Sequence, residues 1–472
     1  MPLILSGNVA SALPTGYDVA NSCRFDEAVM HITPGSEGDT QKMTLSMWVK
    51  RSELGVEQQM WHTQNGSNQA TTLVFGSNDK LYFIADDSNK LITTRVFRDP
   101  SAWYHIVLAI DTTLASATNR ARLYINGTEE TAFGTDSAPS EDQALQWTKT
   151  TSHRIGSQAD TANNAFNGYL AEVVWIDGTQ YAASDFGEFD EDSPNIWKPK
   201  KVSTLTFGTN GFYLDFEASD NLGNDANGGT DLTEVSIAAT DQTTDSPTNN
   251  VCTINPLYIS GTGGQLTLSD GNTTYIPASS GHCYSRSSIG FSAGKWYFEA
   301  KVTEVSSGES AGVGACDTEL ANDADPQAAA VQGGFQVQFS SSNTNLNENA
   351  GGGGQTLITN SFASGDIVQM AVDADDGKIW LGHNGTWYND DNASTTFSAS
   401  NHDMTYTTGS MMQFYFQAYL SGSNYDTTNM NFGNPAFAIS SSNSDANGYG
   451  NFEFPVPSGF YALCTKNLAE FG

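Results

Sequence analysis

The residues of this chain best suited to chemistry are aromatic and amide side chains set side by side in turn-like stretches. His383-Asn384-Gly385-Thr386-Trp387-Tyr388-Asn389-Asp390 combines both kinds densely, and Trp61-His62-Thr63-Gln64-Asn65 does so more sparsely. A sugar is held by an aromatic face against its C–H side and by amide or carboxylate groups at its hydroxyls. Trp387, Asn384, His383, Tyr388 and Trp61 are therefore the candidate ligand-binding residues. The remaining strand-borne indoles, Trp48, Trp103, Trp175, Trp296 and Trp380, are expected in cores.

No catalytic residues are expected. Glycoside hydrolysis needs two carboxylates about 5–9 Å apart, and the densest acidic run, Asp190-Glu191-Asp192, stands in a turn-like stretch before Pro194. The histidines form no His-x-x-x-His or His-Glu pair for zinc. No Gly-x-Ser-x-Gly elbow follows a strand. Asp373, Asp375, Asp376 and Gly377 look like half of a calcium loop, but Asn384 stands at the twelfth position, where a bidentate acid is required. The glycine run at 351–354 is followed by no Lys-Ser/Thr pair, so a loop tip is expected rather than a phosphate cradle.

Composition narrows the partners. Among 472 residues, 20 Lys and Arg face 53 Asp and Glu, for a formal charge of -33. Phosphate contacts need clustered cations, so nucleic acid and anionic membranes are excluded as main partners. Strong negative charge keeps a protein dispersed. The five cysteines are widely separated and form no Cys-x-x-Cys pair, which predicts reduced, buried thiols and assembly in a cytosol. No signal-like segment opens the chain, and no run approaches the roughly 20 apolar residues of a membrane span. Release by lysis fits both features.

The elements that must position these residues are strands. Met43 to Lys50 alternates apolar and polar, as do Leu81 to Ile84, Trp103 to Ile110 and Ala121 to Ile125, the last closed by Asn126-Gly127. Short strands between Gly/Asn/Asp turns predict an all-β fold of two tandem antiparallel β-sandwich (jelly-roll) domains. Ser184 to Trp197 is the best stretch for a short helical turn. Apolar content collapses between Asp220 and Asn250. The expected layout is an N-terminal arm at 1–21, a sandwich at 22–218, a polar linker at 219–256 and a second sandwich at 257–472. The arm either completes the first jelly roll or attaches to a neighbouring subunit or another particle protein.

Four motifs carry a family resemblance in the first domain: Thr44 to Lys50, Trp103 to Asp111, Arg122 to Gly127 and Phe166 to Val173. The domain resembles laminin G-like modules of the concanavalin A type. The second domain resembles SPRY sandwiches through Gly294 to Glu299, Ala311 to Gly314, Gly365 to Asp373 and Lys378 to Tyr388. The joint at 245–256 and the opening residues 1–12 are similar to tail-fibre-like proteins of marine bacteriophages. The resemblance implies a virion structural protein, a tail fibre or appendage, whose loops recognise a host-surface glycan. A capsid decoration or head-fibre protein with no ligand is the alternative, and a polysaccharide depolymerase the next. The implied partners are other virion proteins, a host glycan or receptor, and further copies of the chain, with a trimer as the expected oligomer. The implied location is the virion, after assembly in the host cytoplasm. No cofactor is required, although some laminin G-like modules hold calcium at the rim, for which Asp86, Asp87 and Asp111 are the candidate ligands. In the SPRY resemblance, Asp373 to Gly377 is a plain strand turn, and the aromatic at Trp387 packs onto the sheet.

Overall fold

The computed structural model describes residues 4, 16–66, 69–262, 265–303, 310–318, 335–339, 344–347, 356–358, 363–388, 396–400, 402–420 and 427–472. The chain divides into two compact units, with the boundary between Asn249 and Asn250. Both are β-sandwiches built almost entirely from antiparallel strands, as the alternation predicts. The glycine run at 351–354 and Asn389-Asp390 lie outside the described residues.

Among the described residues, the N-terminal unit holds two eight-stranded sheets. The first is centred on Lys42–Arg51, Tyr104–Asp111 and Gly168–Asp177. The second runs across Phe133–Asp136, Ser88–Thr93, Leu81–Ala85, Ala70–Phe75, Gln58–Gln64, His153–Ile155, Val29–Ile32 and Thr233–Val235. Alternate residues of both sheets meet in one apolar core, which includes Met47, Trp61, Phe83, Leu108, Trp147 and Trp175. The outer face of the first sheet is covered as well. Val107, Val174 and Ile176 pack beneath Phe186, Val202 and Phe207, while Trp48, Trp103 and Tyr169 pack beneath Tyr17 and Val19.

The polar stretch after Asp220 is not a linker. Thr233–Val235 is the edge strand of the second sheet, paired with Val29–Ile32, and Gln242–Thr243 is the edge strand of the first, paired with Ser22–Phe25. Leu222 and Leu232 enter the core. Asp245 is fully buried and bound to the Lys50 ammonium at 2.7 Å and the Trp103 indole N–H at 3.1 Å. Such short edge strands are held by backbone bonds, so polar side chains did not prevent them. Residues 251–256 belong to the C-terminal unit, where Val251 bridges Cys464 and Ile254 bridges Ser287. The expected arm also divides: Tyr17 and Val19 pack on the N-terminal unit, whereas the Ile4 backbone bonds Ser288 and Gly290 of the C-terminal unit. Residues 184–197 form a single helical turn at Ala183–Asp185 and then a hairpin, Gly187–Phe189 with Trp197–Pro199.

The C-terminal unit packs a seven-stranded sheet on a nine-stranded one among the described residues. Its core includes Trp296, Phe298, Met370, Val372, Phe414 and Phe432. A C-terminal helix, Thr465–Phe471, buries Leu468 against that core; at seven residues it is too short to show a helical period in the sequence. The five cysteines are free thiols, all buried.

Candidate functional site

The stretch from His383 to Tyr388 is a hairpin end whose polar groups hold the turn. Lys378–His383 and Thr386–Trp387 are joined by Asn384 and Gly385, both left-handed (φ 48° and 83°), the conformation a two-residue hairpin needs. The Asn384 amide donates to the Asp366 carboxylate at 2.8 Å, and its oxygen accepts the Ile367 N–H at 2.9 Å. The His383 ring lies 2.9 Å from the other Asp366 oxygen. Burial raises the Asp366 carboxyl, but the Ala363 N–H, the Asn384 amide and His383 together hold it below the usual carboxylate range. Trp387 and Tyr388 are 5% and 4% exposed. Trp387 packs onto the outer sheet face against Phe397 and Tyr297, and Tyr388 belongs to the core. Neither offers a ring face to a sugar. Nearby, Asp373 accepts the N–H groups of Asp375 and Asp376 and pairs with Lys295, while Gly377 takes φ 67°, which is a strand turn.

Trp61 is also a core residue. It is fully buried, stacked 4.5 Å from Trp175 and edge-on to Trp147 and His153. A ligand would have to open the sandwich to touch it.

The three rim carboxylates are each engaged locally and do not converge. Asp86 and Asp87 form the left-handed pair of a hairpin turn (φ 48° and 56°). Asp86 accepts the Gln143 amide at 2.8 Å, Asp87 accepts the Ala70 N–H at 3.2 Å, and Asp111 accepts the Thr113 N–H and hydroxyl. Among the described residues, no three His, Cys, Asp or Glu side chains lie together as a metal-ligand group. Asp190, for its part, caps the N–H groups of Asp192 and Ser193 and pairs with Lys198 at 3.2 Å.

The structure instead assembles polar groups on the outward face of the second sheet of the N-terminal unit. Trp61, Thr63, His153, Ile155, Met30 and Ile32 point inward, so their strand neighbours His62, Arg154 and His31 point outward. The register places them directly opposite one another. Thr233, His31, Arg154, His62, Thr72 and Ile84 form one row across six strands. At about 4.8 Å per strand, the row is about 24 Å long. Beside it runs a second row, Gln59, Val74, Tyr82 and Ile92.

The first row has hydrogen-bonding capacity in hand. His62 is 1% exposed, with the Gln64 side chain beside its ring, so it lies within the sheet and not open to solvent. Burial, with the Arg154 charge beside it, pulls its pKa down to about 4, so the ring is neutral at pH 7. Arg154 is half-buried and donates through Nε to the exposed Asp160 carboxylate at 2.6 Å. That contact, with further help from His31, holds Asp160 below its ordinary range. The sequence candidate Trp61 lies one residue before this face. The alternation that buries Trp61 is the signal that would have exposed His62.

A second polar cluster seals the other sheet. A bulge between Ala171 and Val174 inserts Glu172 at φ 49°. Its carboxyl receives the Tyr213 hydroxyl at 2.8 Å and the Tyr17 hydroxyl at 3.2 Å, and the two hydroxyls are 3.1 Å apart. At 5% exposure, burial pushes its pKa up to about 8. The group is closed by its partners and offers no ligand site.

Residues 27–182 match the family described as the concanavalin A-like lectin/glucanases superfamily (Laminin_G_3). No curated protein matches the chain in sequence. Similar solved structures include the SPRY domain of human HERC1, at 17% identity over 38% of this chain and 96% of that one, TM-score 0.29. A Bacteroides ovatus protein described as carbohydrate binding is 15% identical over 47% of this chain and 60% of its own, TM-score 0.33. Domain 4 of AbnA, an arabinanase from Geobacillus stearothermophilus solved with arabinotriose, is 16% identical over 37% and 86%, TM-score 0.27.

Proposed function

We propose that this chain is a glycan-recognising component of a bacteriophage virion, a tail fibre or appendage, and that it binds rather than cleaves. The observation that carries the glycan part is the row Thr233, His31, Arg154, His62, Thr72 and Ile84 on the outward sheet face. In that row the partly exposed Arg154 guanidinium donates to Asp160 through Nε and keeps further N–H donors for a ligand oxygen. Tyr82, Ile84 and Ile92 supply the apolar surface that a sugar's C–H face needs. The family matched over 27–182 is one of lectins and glucanases, which supports the same reading.

The virion setting rests on the tail-fibre resemblance and on two physical features. Five buried free thiols suit assembly in a reducing host cytoplasm. A charge of -33 keeps particles apart. The partners in this reading are other virion proteins and further copies of the chain, as a trimer, so weak single sites gain avidity.

The test is two-part. Full-length protein is applied to arrayed bacterial surface polysaccharides, and intact virions are labelled with antibody against residues 250–472. Binding together with label at tail tips or fibres is the expected result. Label spread over the head with no glycan binding would replace this reading with capsid decoration, and release of reducing sugar would replace it with a depolymerase.

A further inference from the structure

We infer that this sheet face selects acidic glycans, with the Arg154 guanidinium taking a sugar carboxylate between His31 and His62. The inference rests on the glycan reading above and adds the class of sugar.

Three observations carry it. First, a carboxylate already occupies Arg154: Asp160, itself about half exposed, is bound at 2.6 Å through Nε alone. The remaining guanidinium N–H groups have no protein partner among the described residues, and that planar fork matches a carboxylate in two-point contact. Second, this position favours a carboxylate although the chain carries -33. Asp160 reports this, since Arg154 and His31 hold an exposed carboxyl below its ordinary range. Third, the cross-strand neighbours of Arg154 are His31 on one side and His62 on the other. Both are imidazoles, His31 partly exposed and His62 buried. A neutral sugar could use His31, but it would leave the guanidinium fork with water only.

Asp160 gives the inference a test that a folding defect cannot mimic. Asp160 competes with a ligand carboxylate for Arg154, so Asp160→Asn should tighten binding of an acidic glycan several-fold. Arg154→Gln should weaken it about 10-fold. Both variants and the parent, full length, are assayed by calorimetry on uronate-containing bacterial polysaccharides, each in native and carboxyl-reduced form. The expected result is at least 10-fold weaker binding after carboxyl reduction, with that difference abolished in Arg154→Gln and enlarged in Asp160→Asn. Equal binding before and after reduction overturns the acidic selectivity and leaves the glycan reading standing. Binding to none of the polysaccharides overturns both.

Discussion

Arg154 and His62 are direct cross-strand neighbours on the outward face of one sheet, and Arg154 keeps N–H donors beyond its contact with Asp160. The pairing is fixed by the inward packing of Trp61 and Ile155, which sit opposite each other one step along the same strands. A core contact thus aligns the surface groups. Changing the two faces should therefore have separable consequences.

Trp61→Ala should lower stability by about 3–5 kcal/mol, because it removes a ring stacked at 4.5 Å inside the sandwich. Arg154→Gln should shift stability far less, since its exposed ion pair contributes about 0–1 kcal/mol. Denaturant titration of both variants checks this. Loss of glycan binding by Trp61→Ala with unchanged stability would contradict the core placement.

Glu172 should make stability fall with rising pH. Its native pKa of about 8 lies above the ordinary 4.5, so the folded chain holds a proton that the unfolded chain releases between those values. The stabilisation is complete below about pH 4.5 and is lost as pH rises to about 8, at a slope of up to about 1.4 kcal/mol per pH unit. Glu172→Gln keeps one acceptor and one donor for Tyr17 and Tyr213 and should flatten the slope. An unchanged slope of the melting temperature against pH in Glu172→Gln would show that other groups set it.

Lys50 and Asp245 test the boundary of the N-terminal unit. Lys50→Ala leaves the Asp245 carboxylate buried with one partner fewer, a change that costs about 3–5 kcal/mol. Truncation at residue 218, which removes Asp245 and both edge strands, should yield an insoluble product, whereas a fragment spanning 14–249 should unfold in one cooperative step. A cooperatively folding 22–218 fragment would return 219–249 to the status of a linker.

The thiols should be silent in the native state. Burial pushes Cys283 up to about 12 and Cys316 to about 11, and raises Cys23 strongly. A thiol-reactive chromogen should titrate none rapidly in buffer and all five in denaturant.

These features were unequally legible in the sequence. The sandwich class was written in the alternation of Met43 to Lys50 and in turn pairs such as Asn126-Gly127, because period-two patterning maps directly onto a half-buried strand. The segment 219–249 was opaque. Its strands are two and three residues long, and Asp225, Asp231 and Glu234 serve backbone N–H groups, so the composition looked like solvated loop. At the site, residue type misled. Trp387 and Trp61 have the chemistry of sugar platforms, but large rings fill cores. The groups that do gather are contributed by strands distant in sequence, and only the register reveals that Thr233, His31, Arg154 and His62 share a row.

The most direct test of the sheet-face account is histidine side-chain NMR on the full-length protein during titration with a polysaccharide that it binds. The account predicts that the His31 and His62 ring signals move in proportion to occupancy while His383 stays fixed. Movement of His383 with His31 and His62 unchanged would place the ligand at the hairpin end of the C-terminal unit and contradict it.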